Sequence, residues 1–187
     1  LSDFRSYAAD YAENDEIEVS VDGEAVEGTY DIEVSAVASA AMYVSTTFES
    51  ETDALAETGT LSLTYDDTET EITIAADTTL DDLADEINDI DGLTAYVMDT
   101  GDDDEPYRLV IQGEDGGADY DITIDESGLT GTLLDMDETV AASDAELTIN
   151  GVSVTSSSNT VDDAIPGMTI TLSGETSEAL KVTVESD

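Results

Sequence analysis

Apolar and polar residues alternate along most of this chain, most clearly around Asn150-Gly151. Leu147 and Ile149 precede that pair, Val152 and Val154 follow it, and polar residues fill the positions between. Alternation gives a strand one inward and one outward face. Asn-Gly supplies the two positive-φ residues of a type I′ turn, so the stretch predicts a hairpin. Ser156 to Asn159 reads as a polar loop. Thr160 to Ile165 has room for one helical turn, with Thr160 as its cap and Asp162 and Asp163 at the positive end of the dipole. Pro166-Gly167 stops it, and Met168, Ile170 and Leu172 alternate as a further strand.

An earlier stretch repeats the pattern. Leu61 to Leu63 and Ile72 to Ile74 alternate, and Thr79-Leu80-Asp81-Asp82 aligns with Thr160-Val161-Asp162-Asp163 as cap, apolar residue and acid pair. Leu80, Leu83, Ala84 and Ile87 then share one helical face, with acids opposite. Asn88 to Gly92 closes this helix. Leu93 to Val97 and Tyr107 to Ile111 read as strands around the acidic loop Asp99 to Glu105, and Tyr120 to Ile124 as the next strand.

At the start, Leu1, Phe4, Ala8 and Tyr11 recur at helical spacing, as in the tail of a helix ending at Asn14-Asp15. Ile17 to Val21 and Tyr30 to Val34 read as an antiparallel pair around Asp22-Gly23. Leu180 to Val184 is the terminal strand, completing the sheet that Ile17 to Val34 starts. Ser50 to Thr58 is acidic and unpatterned, like a linker into an insert, and Ser127 to Ser143 is weakly patterned, like a return. The expected fold is mostly β (α+β), two small β-rich domains with short helices, the second inserted into the first. The first takes residues 1–52 and 143–187. The second, a β-β-α-β-β unit, takes residues 53–142.

These stretches resemble the flagellar filament cap proteins, the hook-associated protein 2 family, together with relatives that carry the flagellin hook IN motif. The resemblance rests on Gly59-Thr60-Leu61, the Thr79 to Asn88 run, Tyr107 to Ile111, Ala145 to Leu147, Ile149-Asn150-Gly151, Ser158-Asn159 and Asp163 to Leu172. Gly28 to Val34 looks like the family's first head-domain strand. Ala36 to Ala41 departs from the usual Leu-Ala-x-Ala-Gln run and lacks its Gln. The resemblance marks Asn88, Asn150, Gly151, Asn159, Asp163, Pro166 and Gly167 as structural motif residues. It implies an extracellular protein at the flagellum tip, with flagellin and its own copies as partners, the latter through terminal helices outside this stretch. The start at Leu1, without methionine, fits a fragment or a processed product.

The formal net charge is -45, from 48 acids against Arg5, Arg108 and Lys181. Such acidity can accompany disorder, but the strand-like alternation of the apolar residues argues for a folded chain. The charge also argues against nucleic acid and anionic membrane surfaces as partners, since both need clustered cations. It fits concentrated salt, where the Debye length falls from about 8 Å to about 3 Å and self-repulsion is screened. There is no cysteine, no apolar run of membrane-spanning length and no cleavable signal pattern.

Chemistry has little to draw on. Histidine and cysteine, the commonest base and the strongest nucleophile, are absent. The acid pairs Asp81-Asp82 and Asp162-Asp163 are explained by capping, so no catalytic residue, cofactor or enzyme activity is expected. Asp99, Asp102, Asp103, Asp104 and Glu105 form a weak calcium candidate without EF-hand order. A chain this acidic produces such runs by chance, so a solvated hairpin tip is the better reading. Arg108, alone among acids, is expected to pair with carboxylates. The tyrosines fit half-buried strand positions, although solvent-facing ones could stack on surface glycans. An adhesive glycan-binding module, or another extracellular filament or virion protein of a halophile, therefore stands as the alternative function.

Overall fold

The computed structural model describes residues 6–131 and 134–186. In chain order its elements are β1 (Tyr7–Tyr11), β2 (Ile17–Val21), β3 (Gly28–Ala36), β4 (Met42–Val44), β5 (Gly59–Tyr65), β6 (Thr68–Ile74) and the helix α1 (Leu80–Asn88). There follow β7 (Leu93–Asp99), β8 (Tyr107–Gly113), β9 (Thr123–Leu129), β10 (Asp137–Val140), β11 (Ala145–Ile149), β12 (Val152–Ser156), β13 (Thr160–Ile165), β14 (Met168–Leu172) and β15 (Leu180–Ser186). No described helix is long and apolar enough to cross a membrane.

The chain divides after Ala38 and again before Ser143. The first unit combines the residues up to Ala38 with those from Ser143 onward; the second is Ser39–Ala142. Residues 39–52, expected in the first domain, therefore sit in the second, because β4 pairs with β8 and β10 there.

In the first unit a five-stranded sheet, β1-β15-β3-β11-β12, and a three-stranded sheet, β13-β14-β2, share one core. Ile32, Val34, Leu147 and Val182 enter it from the larger sheet, and Ile17, Val19, Ile170 and Leu172 from the smaller. Each alternates with exposed or half-exposed neighbours, as the sequence pattern requires. The expected pairing of β2 with β3 does not form. β2 pairs with β14 and β3 with β15 and β11, so residues 22–27 carry the chain from one sheet to the other.

Two helical expectations fail here for one reason. Leu1 and Phe4 lie outside the described residues, but Ala8 and Tyr11 belong to β1, which pairs with β15 from Tyr7 opposite Ser186 to Tyr11 opposite Val182. Thr160 to Ile165, with Asp163 inside it, is strand β13. Val161 and Ile165 are four apart, a spacing that places residues on one face of a helix and also on one face of a strand. Single turns are too short to nucleate alone, so an available partner strand decides the outcome. Between Val161 and Ile165 the register to β14 shifts, and both Asp162 and Asp163 stay in solvent.

In the second unit a four-stranded sheet, β10-β4-β8-β7, and a three-stranded sheet, β6-β5-β9, enclose a core with α1. Leu80, Leu83, Ala84 and Ile87 are the buried face of the helix, as their spacing predicts. Thr79 caps it: its Oγ1 accepts from Asp82 N at 3.1 Å, and the Asp82 carboxylate accepts from Thr79 N at 3.0 Å. The unit is larger than the expected β-β-α-β-β pattern. β4, β9 and β10 join it, and the span from Ser127 to Ser143 contains the end of β9 and all of β10. Of the strand expected from Tyr120 to Ile124, Tyr120 ends a 3-10 turn, Ala118–Tyr120, and only Thr123 and Ile124 lie in β9. Ser39 Oγ donates to the Ala141 carbonyl at 2.7 Å, tying the two ends of this unit together.

Candidate functional site

The family-motif residues are local organisers of backbone. At Asn150-Gly151 the φ values are 51° and 78°, the turn expected between β11 and β12. Asn150 does more than turn. Its Oδ1 accepts from Asp31 N at 2.9 Å and its own N–H donates to the Asp31 carbonyl at 2.8 Å, which fastens the hairpin end to β3.

Asn88 and Asn159 use their side-chain amides in one common way. Asn88, the last residue of α1, accepts from Ala95 N at 2.7 Å and donates to the Ala95 carbonyl at 2.8 Å. Asn159 does the same to Ala38, at 2.7 Å and 2.9 Å. A carboxamide offers one donor and one acceptor at the spacing of a backbone, so it substitutes for a missing strand neighbour. β7 is an edge strand, and Asn88 covers the pair of backbone groups that its single partner β8 leaves free at Ala95.

Pro166-Gly167 links β13 to β14. Gly167 has φ 69°, and a Cβ there would lie 2.2 Å from Ala25 N, so glycine is required on two independent grounds. Its carbonyl also accepts from Asp22 N at 2.9 Å.

In the Asp99 to Glu105 loop the carboxylates turn to nearby backbone instead of converging. Asp99 Oδ1 accepts from Gly101 N at 2.8 Å, and Asp102 Oδ1 accepts from Asp104 N at 3.0 Å and Glu105 N at 3.3 Å. Those two N–H groups hold the Asp102 carboxyl below the usual carboxylate range. Glu105 accepts from Thr47 Oγ1 at 2.7 Å, while Asp103 and Asp104 are exposed. Among the described residues no three acids gather as a metal-holding group. This is hairpin-tip chemistry.

Arg108 departs from expectation: its Nη1 donates to the backbone carbonyl of Ser45 at 2.8 Å. Lys181 and Asp31 form an exposed ion pair at 3.1 Å. Tyr65 is a feature the sequence pattern did not single out. Its ring is 5% exposed, lies against the Cα positions of Gly92 and Gly113, and approaches Tyr120 at 5.9 Å between centroids. Its hydroxyl accepts from Asp115 N at 3.1 Å. Burial pushes the Tyr65 phenol up from its ordinary value, as it does that of Tyr43.

None of these groups pairs a nucleophile with a base. The assembled chemistry is that of turns, edges and caps.

Two family models match the chain, the flagellar hook-associated protein 2 C-terminus over residues 142–187 and the flagellin hook IN motif over residues 60–115. Flagellar hook-associated protein 2 of Escherichia coli O157:H7 is 31% identical over 75% of this chain and 34% of its own length, so the chain spans about a third of that relative. The crystal structure of a three-domain fragment of the Escherichia coli flagellar cap protein superposes with a TM-score of 0.83 at 26% identity, covering 98% of this chain and 56% of that one. A two-domain fragment of the Serratia marcescens cap protein gives 0.76 at 28% identity, covering 91% of this chain and all of the fragment (100%).

Proposed function

Because the chain belongs to the flagellar hook-associated protein 2 family, we propose that it is the head portion of a protein that caps the distal end of a flagellar filament. The observation that carries this reading is that solved cap-protein fragments match over nearly the whole chain, residues of both units included. Flagellin is the partner implied, with further copies of the same protein around the filament axis. Holding exported flagellin at the tip while it folds and inserts requires surfaces and rigidity, and no bond is made or broken. An inventory of amide clamps, glycine turns and a capping box suits that task. The location is extracellular, at the flagellum tip. Nothing in the comparisons supports the glycan-binding alternative.

The test is deletion of the gene in the organism that encodes it, followed by complementation. Loss should spill unpolymerised flagellin into the medium and shorten filaments, and the full gene should reverse both. Filaments of normal length with no spilled flagellin after deletion would sink the reading.

A further inference from the structure

We propose that Asn150 is a self-modification site whose reaction with Gly151 is held off by the folded hairpin and released when the hairpin tip opens. The asparagines of the chain are Asn14, Asn88, Asn150 and Asn159, followed by Asp15, Asp89, Gly151 and Thr160, so Asn150 alone precedes glycine. A backbone nitrogen that attacks the side chain before it is least hindered when its own residue has no Cβ. Even a Cβ at Gly151 would meet nothing within 4 Å, and both residues are exposed, so water reaches the pair.

The chemistry needs only water. The Gly151 nitrogen gives up its proton and attacks Asn150 Cγ. The new C–N bond closes a five-membered succinimide while the Cγ–Nδ2 bond breaks, and Nδ2 leaves as ammonia with that proton. Water then opens the ring at one of two C–N bonds. Opening at Cγ leaves aspartate at this position. Opening at the backbone carbonyl leaves isoaspartate, whose main chain runs through Cβ and Cγ and is one carbon longer.

The fold blocks the first step. Ring closure requires the Gly151 nitrogen on the Cβ side of the Asn150 Cα–C bond. With φ of 51° and 78° the pair forms a type I′ turn, which holds that nitrogen on the opposite side. The residue is also tied down: Asn150 Oδ1 accepts from Asp31 N at 2.9 Å, and Asn150 N donates to the Asp31 carbonyl at 2.8 Å. Attack therefore requires the turn to rotate and both bonds to Asp31 to part, a local opening of the hairpin tip.

The two products leave different structures. Aspartate keeps an acceptor for Asp31 N, and Asp66 and Asp67 already hold such a turn in the β5–β6 hairpin at φ of 47° and 57°. Isoaspartate lengthens the two-residue loop that sets Ile149 opposite Val152, so the register of β11 with β12 is lost. A chain that has dwelt open is marked at this tip irreversibly.

The experiment incubates the chain at mildly alkaline pH, folded and in concentrated urea, and weighs the peptide cut out after Glu146 and Asp162 by mass spectrometry. Replacing the side-chain NH2 by OH adds one mass unit. Asn150 should react at least tenfold faster in concentrated urea than in the folded chain, while Asn159 in the same peptide stays intact. Gly151→Ala should slow the reaction in urea at least tenfold, where its effect on folding plays no part. In the folded chain, urea below the unfolding range should raise the reaction rate in step with hydrogen exchange at the Asn150 amide, since one opening frees both. Equal rates in the folded and unfolded chain, or a folded rate that stays flat while exchange at Asn150 rises, would overturn the gate. An Asn150 that stays intact in urea, or reacts there as fast beside alanine, would overturn the site.

Discussion

The Asn159 side chain holds both backbone groups of Ala38, accepting from its N–H at 2.7 Å and donating to its carbonyl at 2.9 Å. Ala38 is 7% exposed and is the last residue of the first unit before the chain leaves it. Asn159→Ala strands a poorly hydrated donor and acceptor together. The expected cost is about 1–3 kcal/mol, with faster hydrogen exchange at the Ala38 amide. Asn159→Asp keeps the acceptor, loses the donor and sets a carboxylate against a carbonyl, so it should be no milder. Exchange at Ala38 that matches the parent chain would refute the clamp.

Gly151 and Gly167 separate two reasons for glycine. Both have positive φ, but a Cβ at Gly151 meets nothing within 4 Å, while one at Gly167 collides with the Glu24 and Ala25 backbone. Gly151→Ala should cost about 1 kcal/mol of conformational strain. Gly167→Ala should cost about 2–5 kcal/mol, because strain and overpacking combine. Chemical denaturation of both variants decides it, and equal losses would contradict the collision.

Asp66 and Asp67 turn the β5–β6 hairpin with φ of 47° and 57°. Aspartate tolerates that region less well than Asn-Gly, and two neighbouring carboxylates repel. Replacing the pair by Asn-Gly should stabilise the second unit by about 1 kcal/mol, read as a rise of several degrees in its melting temperature. An unchanged or lower melting temperature would count against the turn assignment.

Salt and pH act with opposite emphasis. At -45, stability should rise with NaCl or KCl as screening shortens the reach of repulsion. A melting temperature flat in salt would refute salt adaptation. Burial raises Tyr65 and Tyr43 above 10.0, with Asp121 and Glu138 adding to the effect at Tyr43. The fold therefore favours the neutral phenol. That contribution is complete below the unfolded value and is lost as pH rises through the folded one. Tyr65→Phe and Tyr43→Phe should remove the latest steps of phenolate absorbance. For Asp102 the sign reverses: a lowered folded value contributes above the unfolded 3.8 and is lost as pH falls through it.

The parts of this molecule legible in its sequence are those where local chemistry and packing agree. The Asn150-Gly151 hairpin, the capped helix after Thr79 and the alternating core strands each carry their own conformational signal. The misread parts depend on a distant partner. β1 is a strand because β15 lies beside it, β13 because β14 does, and β2 leaves β3 because a second sheet must cover the core. The amide clamps were half visible: Asn88 and Asn159 stand in the family motif, but their targets Ala95 and Ala38 are set by topology, 7 and 121 residues away. Tyr65 gave no sign, since its seat is made by two glycines that read as turns.

The bond from Ser39 to Ala141 brings the ends of the second unit to one place, and in the first unit Ala36 of β3 stands opposite Glu146 of β11. The insert thus leaves and rejoins the first unit at chain positions that are already neighbours. A lineage can enlarge, exchange or discard the insert without rewiring the sandwich that receives it.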